Sequence, residues 1–420
     1  MQWISQTINA ASILGLLVIC GFGCMHRPAP GAPLAESTRS PVSEPQLVIN
    51  TTDLYFPSQD GGDNFDLVMP YGLDEVQQLL VVLDGNHHLR DPEAQKSARL
   101  CRDPRGIARD PGYMAVAQLD HIFARRTQWC IGPWTRMKSE DDRLEWIPQA
   151  EQIGIEVFIE TLRSAPQPVH VTVFGSARVI AAALNREPAL LKTRIAMVHF
   201  CAGTAGNGAR FLEWNIGLDQ LAARRLLGSD LPITLYPCAT SEGPFALGRH
   251  NGYWQLPNLE FVRDLHPRLR SYLVFQLAPS SRLDTLRAIE EESDPAVLSA
   301  VASRPHNVWE TCVWLAISGR KLVRRADGTC RILKPTEIGP EDRVLSGNTR
   351  PCRLSLNDGR GACRMWFDEP FDVPDIGLFD WEPADEATNR WIYDRGDPLE
   401  NQSALREALP ELYRSFSPSR

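Results

Sequence analysis

Short, almost wholly apolar runs recur along the chain at residues 47–50, 79–83, 169–174, 195–200 and 233–236. Between them lie stretches whose apolar residues repeat at helical spacing. Residues 152–162 place Ile155, Phe158, Ile159 and Leu162 along one side, as an amphipathic helix needs. Residues 176–184 and 219–227 follow later apolar runs in the same way. Continuous apolar strands alternating with helices predict an α/β fold, with a mainly parallel β-sheet flanked by helices. In such sheets ligands bind beyond the carboxyl ends of the strands, so functional residues should follow the strands.

The pattern changes beyond Leu322. Residues 323–380 are rich in Arg, Gly, Asp and Pro, with short extended pieces at 330–333 and 364–367. They predict a small C-terminal β-rich appendage. A last helix over 402–416 carries Leu405, Leu409 and Leu412 at helical spacing, so the extension packs back on the same domain.

At the other end, residues 11–23 are apolar and lead through Gly23 to Cys24. A short apolar run closed by a small residue and a cysteine resembles a bacterial lipoprotein signal. Cys20 is a second candidate for lipidation, with the bulkier Ile19 before it. No Lys or Arg precedes Arg27, which departs from the usual positive start. An uncleaved anchor is the alternative, although the run is short for a full span. Residues 25–46, rich in Pro, Ala and Ser, read as a flexible tether. The chain thus divides into a signal segment (1–24), a linker (25–46), an α/β domain (47–322) and the extension (323–420). The expected location is outside the cytoplasm, on the bacterial cell envelope. The contact with the membrane would be a lipid anchor or the N-terminal segment.

Composition narrows the partners. Of 420 residues, 43% are hydrophobic, enough for a substantial core, and the net charge is −8. Without a concentrated basic face, nucleic acid is not an expected partner. Ten cysteines are present. An exported chain permits disulfides, and Cys352 with Cys363, or Cys101 with Cys130, are plausible pairs. Cys201 and Cys238, at the ends of apolar runs, read as buried free thiols. No CxxC or HExxH spacing supports a zinc site.

Two clusters carry candidate chemistry. After the first strand come Asp53, Asp60, Asp63 and Asp66, in a connection containing Gly61 and Gly62. Such a loop can gather oxygen ligands for a hard cation, or be a solvated turn. After the strand ending at Phe200, Asn207, Glu213 and Asn215 form a polar set that sugar hydroxyls can bridge. Each asparagine alone would be a turn or cap residue. Ser176 follows a strand but lacks the G-x-S-x-G elbow, so it reads as a helix-starting serine. His87 and His88 are pocket or surface residues. Tyr253, Trp254 and Trp309 would either stack on a flat ligand or fill the core.

The stretch from Asn207 to Pro237, NGARFLEWNIGLDQLAARRLLGSDLPITLYP, resembles a segment of the inosine/uridine-preferring nucleoside hydrolase family. In that family an N-x5-E-[FW]-N motif precedes an Asp, a helix and a Pro-Ile/Leu-Thr strand. Upstream, VHVTVFGSARVIAAALNREPALLKTRIAMVHFCAG is similar to the family's strand, Gly-Pro-Leu-Thr-Asn helix, acidic-Pro turn and Met-Gly-Gly strand. LLVVLDGN resembles its second strand, ending at Gly85 and Asn86, and PHNVW its late His-Asp motif. These matches run in family order over roughly residues 47–320.

The resemblance implies hydrolysis of the N-glycosidic bond of ribonucleosides by a Ca²⁺-bound water. Charge at C1′ is stabilised by nearby carboxylates, and the metal lowers the pKa of the water. It further implies that Asn86, Asn207, Glu213 and Asn215 grip the ribose, with His306 near the leaving base. Asp53 and Asp63 would be catalytic and hold the metal. Arg178, at the position of a main-chain carbonyl ligand, and Asn307 complete the expected metal set. Asn307 stands where the family has an aspartate, and an amide oxygen attracts a dication more weakly, so the metal site should be weakened. The expected ligand is therefore a nucleoside or sugar. The alternatives are a non-catalytic sugar- or nucleoside-binding lipoprotein with a degenerate metal site, and a structural envelope protein.

Overall fold

The computed structural model describes residues 44–56, 61–85, 110–205, 213–278, 284–345, 347–356, 379–385 and 388–418. In chain order the strands are β1 (Gln46–Thr52), β2 (Tyr55–Phe56), β3 (Val76–Leu83), β4 (Asp110–Pro111), β5 (Gln128–Ile131), β6 (Val169–Phe174), β7 (Ile195–Phe200) and β8 (Ile233–Leu235). There follow β9 (Trp254–Leu256), β10 (His306–Val308), β11 (Lys321–Arg324), β12 (Cys330–Leu333), β13 (Arg343–Val344), β14 (Asn348–Leu356), β15 (Phe379–Pro383) and β16 (Arg390–Asp394).

Nine strands form the central sheet in the order β15-β14-β16-β8-β7-β6-β1-β3-β5. The pairs from β5 through to β8 and β16 are parallel, and β14 is antiparallel to both β16 and β15. The mainly parallel α/β architecture expected from the apolar runs is present. The five predicted runs are β1, β3, β6, β7 and β8. The C-terminal part is less separate than its composition suggests. While β11, β12 and β13 make their own small sheet, β14, β15 and β16 continue the central one. The predicted extended piece at 364–367 lies outside the described residues.

Alternation along each strand sends side chains to opposite faces, and both faces are covered. Val48, Phe174 and Tyr236 belong to one apolar core, with the helices Tyr113–Phe123, Pro267–Leu277, Thr311–Ser318 and Pro398–Ser415. Ile49, Val171, Val173 and Ile233 belong to the other, with Gln149–Ser164, Arg178–Arg186 and Gln220–Leu227. In the last helix Leu405, Leu409 and Leu412 are buried, as their spacing predicts. Each such leucine is worth roughly 1.5–3 kcal/mol of burial.

Strand order reverses at β1. The chain moves from β1 to β3 and β5 on one side, then returns to β6, β7 and β8 on the other. Connections leaving neighbouring strand tips in opposite directions open a crevice between them. Here that crevice lies at the carboxyl ends of β1 and β6.

Candidate active site at the strand tips

Asp53 is the first residue beyond β1, and it is buried. Its N–H donates to Phe174 O at 3.4 Å, which carries the parallel pairing of β1 and β6 to their tips. Its carboxylate accepts the indole N–H of Trp214 at 2.8 Å. The early acidic connection and the E-W-N stretch, 161 residues apart, therefore meet. Gly175 follows β6 in the same place. A Cβ there would stand 2.5 Å from Asp84 Oδ2 and 2.9 Å from Asp53 N, so no larger residue fits without a shift.

Asp84 was not singled out by the sequence. It follows β3 directly, takes the Ser176 N–H at 2.6 Å, and gives its own N–H to Thr52 O at 2.9 Å. Burial pushes its carboxyl up to about 6, against the pull of Arg178 and the Ser176 N–H. The available signal was an acid set directly after a continuous apolar strand, where a sheet ligand site belongs. Ser176 is the helix-starting serine expected, since its Oγ accepts the Arg178 N–H at 3.2 Å.

Glu213 caps the helix Trp214–Leu218. Its Oε1 accepts Asn215 N–H at 3.0 Å, and its Oε2 accepts Ile216 N–H at 3.1 Å and Gly203 N–H at 2.8 Å. Burial pushes this carboxyl up to about 7, opposed by those backbone donors. Asn215 donates from Nδ2 to Cys201 O at 2.7 Å. Both residues thus tie the helix to the turn after β7. Asn86 and Asn207, the other expected sugar contacts, lie outside the described residues, as do Asp60, His87 and His88.

Asp63 sits on the helix Gly61–Asp66, half-buried. On the same helix Asp66 is fully buried and accepts Glu310 N–H at 3.0 Å and the Thr311 hydroxyl at 2.9 Å, which ties it to the start of the helix Thr311–Ser318. His306, on β10, lies beside this short helix. Its ring is 4.9 Å from that of Phe65, and a Cβ on Gly61 would be 3.2 Å from its Cε1. Burial pushes its imidazole down to about 3, with Arg304 adding to the effect, and among the described residues its Nε2 has no hydrogen-bond partner. His306 and the Gly61–Asp66 helix are therefore neighbours.

Asn307 points the other way, as the next residue on a strand must. Its Oδ1 accepts both the Tyr253 hydroxyl and Gln255 Nε2, each at 3.1 Å, and those bonds occupy the two lone pairs of the amide oxygen. The Arg178 guanidinium is buried against Asp219 at 2.9 Å and donates to Pro133 O and Leu218 O at 2.5 and 3.0 Å. Only its main chain, at the start of Arg178–Arg186, would be offered to a metal. Among the described residues no three His, Cys, Asp or Glu side chains gather as a metal ion requires.

Trp254 is core, fully buried with its indole N–H on the Thr311 hydroxyl at 3.2 Å. Tyr253 and Trp309 instead join the exposed Phe245, with ring centroids 5.2 to 6.0 Å apart. Cys201 and Cys238 are buried free thiols as expected. Cys130 and Cys352 are also buried and free, and Cys101 and Cys363 lie outside the described residues.

No protein-family model matches the chain, and no curated protein matches its sequence. Solved structures do match. A purine-preferring ribonucleoside hydrolase from Gardnerella vaginalis is similar with a TM-score of 0.50 at 13% identity, over 88% of this chain and 99% of that one. A plant nucleoside hydrolase is similar at 0.46 and 14%, over 89% and 100% of the two chains. An inosine-uridine preferring nucleoside hydrolase from Bacillus anthracis is similar at 0.42 and 12%, over 88% and 99%. At such identities the likeness is one of fold, and the fold of this chain is nucleoside-hydrolase-like.

Proposed function

We propose that this chain hydrolyses N-glycosidic bonds in ribonucleosides or related ribosyl compounds, in the crevice at the tips of β1, β3 and β6. The observation that carries the reading is the bond from Trp214 to Asp53, which joins the two stretches that sequence reasoning had assigned to one site. A carboxylate held at a strand tip can stabilise positive charge developing at C1′ and take a proton from the attacking water. Asp84 borders the same Gly175 as Asp53, and burial pushes its carboxyl up to about 6. It holds the Ser176 main chain by accepting its N–H. The expected four-ligand calcium set does not fit, because Asn307 has spent its oxygen on Tyr253 and Gln255. Asp53 and Asp63 are left as the side chains to hold an ion, and no step is derived through one.

The test is ribose release from a panel of purine and pyrimidine ribonucleosides by the full chain. Release should fall at least about a hundredfold in Asp53→Asn. No release from any ribonucleoside would overturn the hydrolase reading.

A second reading, a non-catalytic nucleoside- or sugar-binding protein, is favoured by the internal engagement of Glu213, Asn215 and Asn307. Calorimetric binding of ribose or a nucleoside without turnover supports it. Attachment to the bacterial envelope through Cys24 belongs to both readings and rests on the N-terminal sequence, which lies outside the described residues. No helix among the described residues is long and apolar enough to cross a membrane.

A further inference from the structure

The turn at residues 201–205 is held from two sides. Towards the candidate site, Gly203 N–H bonds Glu213 and Cys201 O accepts from Asn215. Beside it, Cys238 N–H and Ala239 N–H both donate to Gly203 O at 3.0 and 3.2 Å, and Ala205 N–H donates to Ala239 O at 2.8 Å. From the other side comes the C-terminal extension. Phe379 lies so close to Gly203 that a Cβ there would come within 2.4 Å of its ring. Gly203 also has a φ of 81°, so both its backbone and its surroundings require glycine. Trp381, two residues further along β15 and thus on the same face, donates its indole N–H to Ala205 O at 3.0 Å. With Leu356 of β14, Phe379 closes a small cavity lined by Thr204, Ile216 and Gln220.

We propose that Phe379 and Trp381 are positioning residues for the candidate site: the β14–β15 pair clamps the 201–205 turn, and the turn sets Glu213 so that Trp214 reaches Asp53. Glu213 takes two of its N–H bonds from its own helix and one from the turn. Only the last joins the helix to the rest of the sheet through this carboxylate, and the clamp bears directly on it. Strands that look like an addition at the sheet edge thereby become part of the site. The proposal deepens the hydrolase reading and rests on it only for its kinetic outcome.

The test uses the full chain labelled with ¹⁵N. The indole N–H of Trp214, assigned through Trp214→Phe, reports its bond to Asp53 by its rate of exchange with solvent. In Trp381→Phe, which keeps an aromatic ring of smaller size and deletes the donor, that exchange should be about tenfold faster. Phe379→Leu should give a smaller acceleration than Phe379→Ala, and a cooperative unfolding transition checks that each variant is folded. Where the wild type releases ribose, the clamp variants should lower kcat more than they raise KM. Unchanged Trp214 exchange in both Trp381→Phe and Phe379→Leu overturns the clamp, as does faster exchange with unaltered ribose release. Faster exchange in a chain that releases no ribose at all supports the clamp, and only the hydrolase reading then fails.

Discussion

Replacing Arg178 tests most directly how this crevice is built. Its guanidinium and the Asp219 carboxylate are each 2% exposed and 2.9 Å apart. In Arg178→Met the volume is largely kept, but a buried carboxylate loses its counter-charge and two carbonyls, Pro133 O and Leu218 O, lose their donors. Breaking a buried pair from one side costs about 3–5 kcal/mol. Asp219 keeps the N–H groups of Met137 at 3.0 Å and Ala222 at 3.1 Å, which holds the loss towards the middle of that range. We expect about 4 kcal/mol, a large share of the roughly 5–15 kcal/mol that a folded protein has. Asp219→Asn should cost about 3 kcal/mol through the cation it strands, and the double variant much less than the two together. Urea unfolding at pH 7, with all four proteins compared at constant slope, gives the coupling energy. A single-variant loss below about 1 kcal/mol, or strict additivity, would refute the pairing and leave the Arg178 side chain without a structural role.

Acidification should expose the neutral state of His306. Its folded pKa of about 3 lies below the unfolded 6.5, so its contribution is complete above pH 6.5 and is lost as the pH falls towards 3; at pH 5 the loss relative to His306→Gln is about 2 kcal/mol, read by urea unfolding of both proteins, and parallel pH curves would contradict the burial. Glu213 and Asp84 have raised pKa values and act in the opposite sense, which is why the variant comparison, and not the wild-type curve, is the measurement. Calcium titrated into the metal-free chain should bind no tighter than about millimolar, since the amide of Asn307 is engaged; calorimetry showing sub-micromolar binding would contradict that geometry. Cys24→Ser, expressed in a bacterium, should move the chain from the membrane to the soluble fraction, and unchanged fractionation would remove the lipid-anchor proposal.

Much of the sheet was legible because its central strands are apolar on both faces. Residues 169–174 and 195–200 are read with the same bounds that the structure gives β6 and β7. The strand β5 was not read, because at the sheet edge its Gln128 and Trp129 face solvent and leave no apolar run. The polar β14 was read as part of an appendage for the same reason. Its place beside β16 depends on pairing with residues far along the chain.

The candidate site divides along the same line. Local pattern was enough to put Asp53 and Glu213 at strand tips, since each follows an apolar run that a parallel sheet must bury. What those side chains touch was decided by the tertiary structure. Glu213 turned out to hold a turn through three backbone N–H groups, and Asn307 was directed away from His306 by strand alternation. Asp84 acquired its raised pKa only through burial beside Gly175. Periodicity is a property of neighbouring residues, so the sequence by itself determined the apolar central strands and the amphipathic helices between them. Hydrogen-bond partners and desolvation arise between residues as far as 348 positions apart, as in the bond from Tyr413 to Phe65, and only the packed chain assigns them.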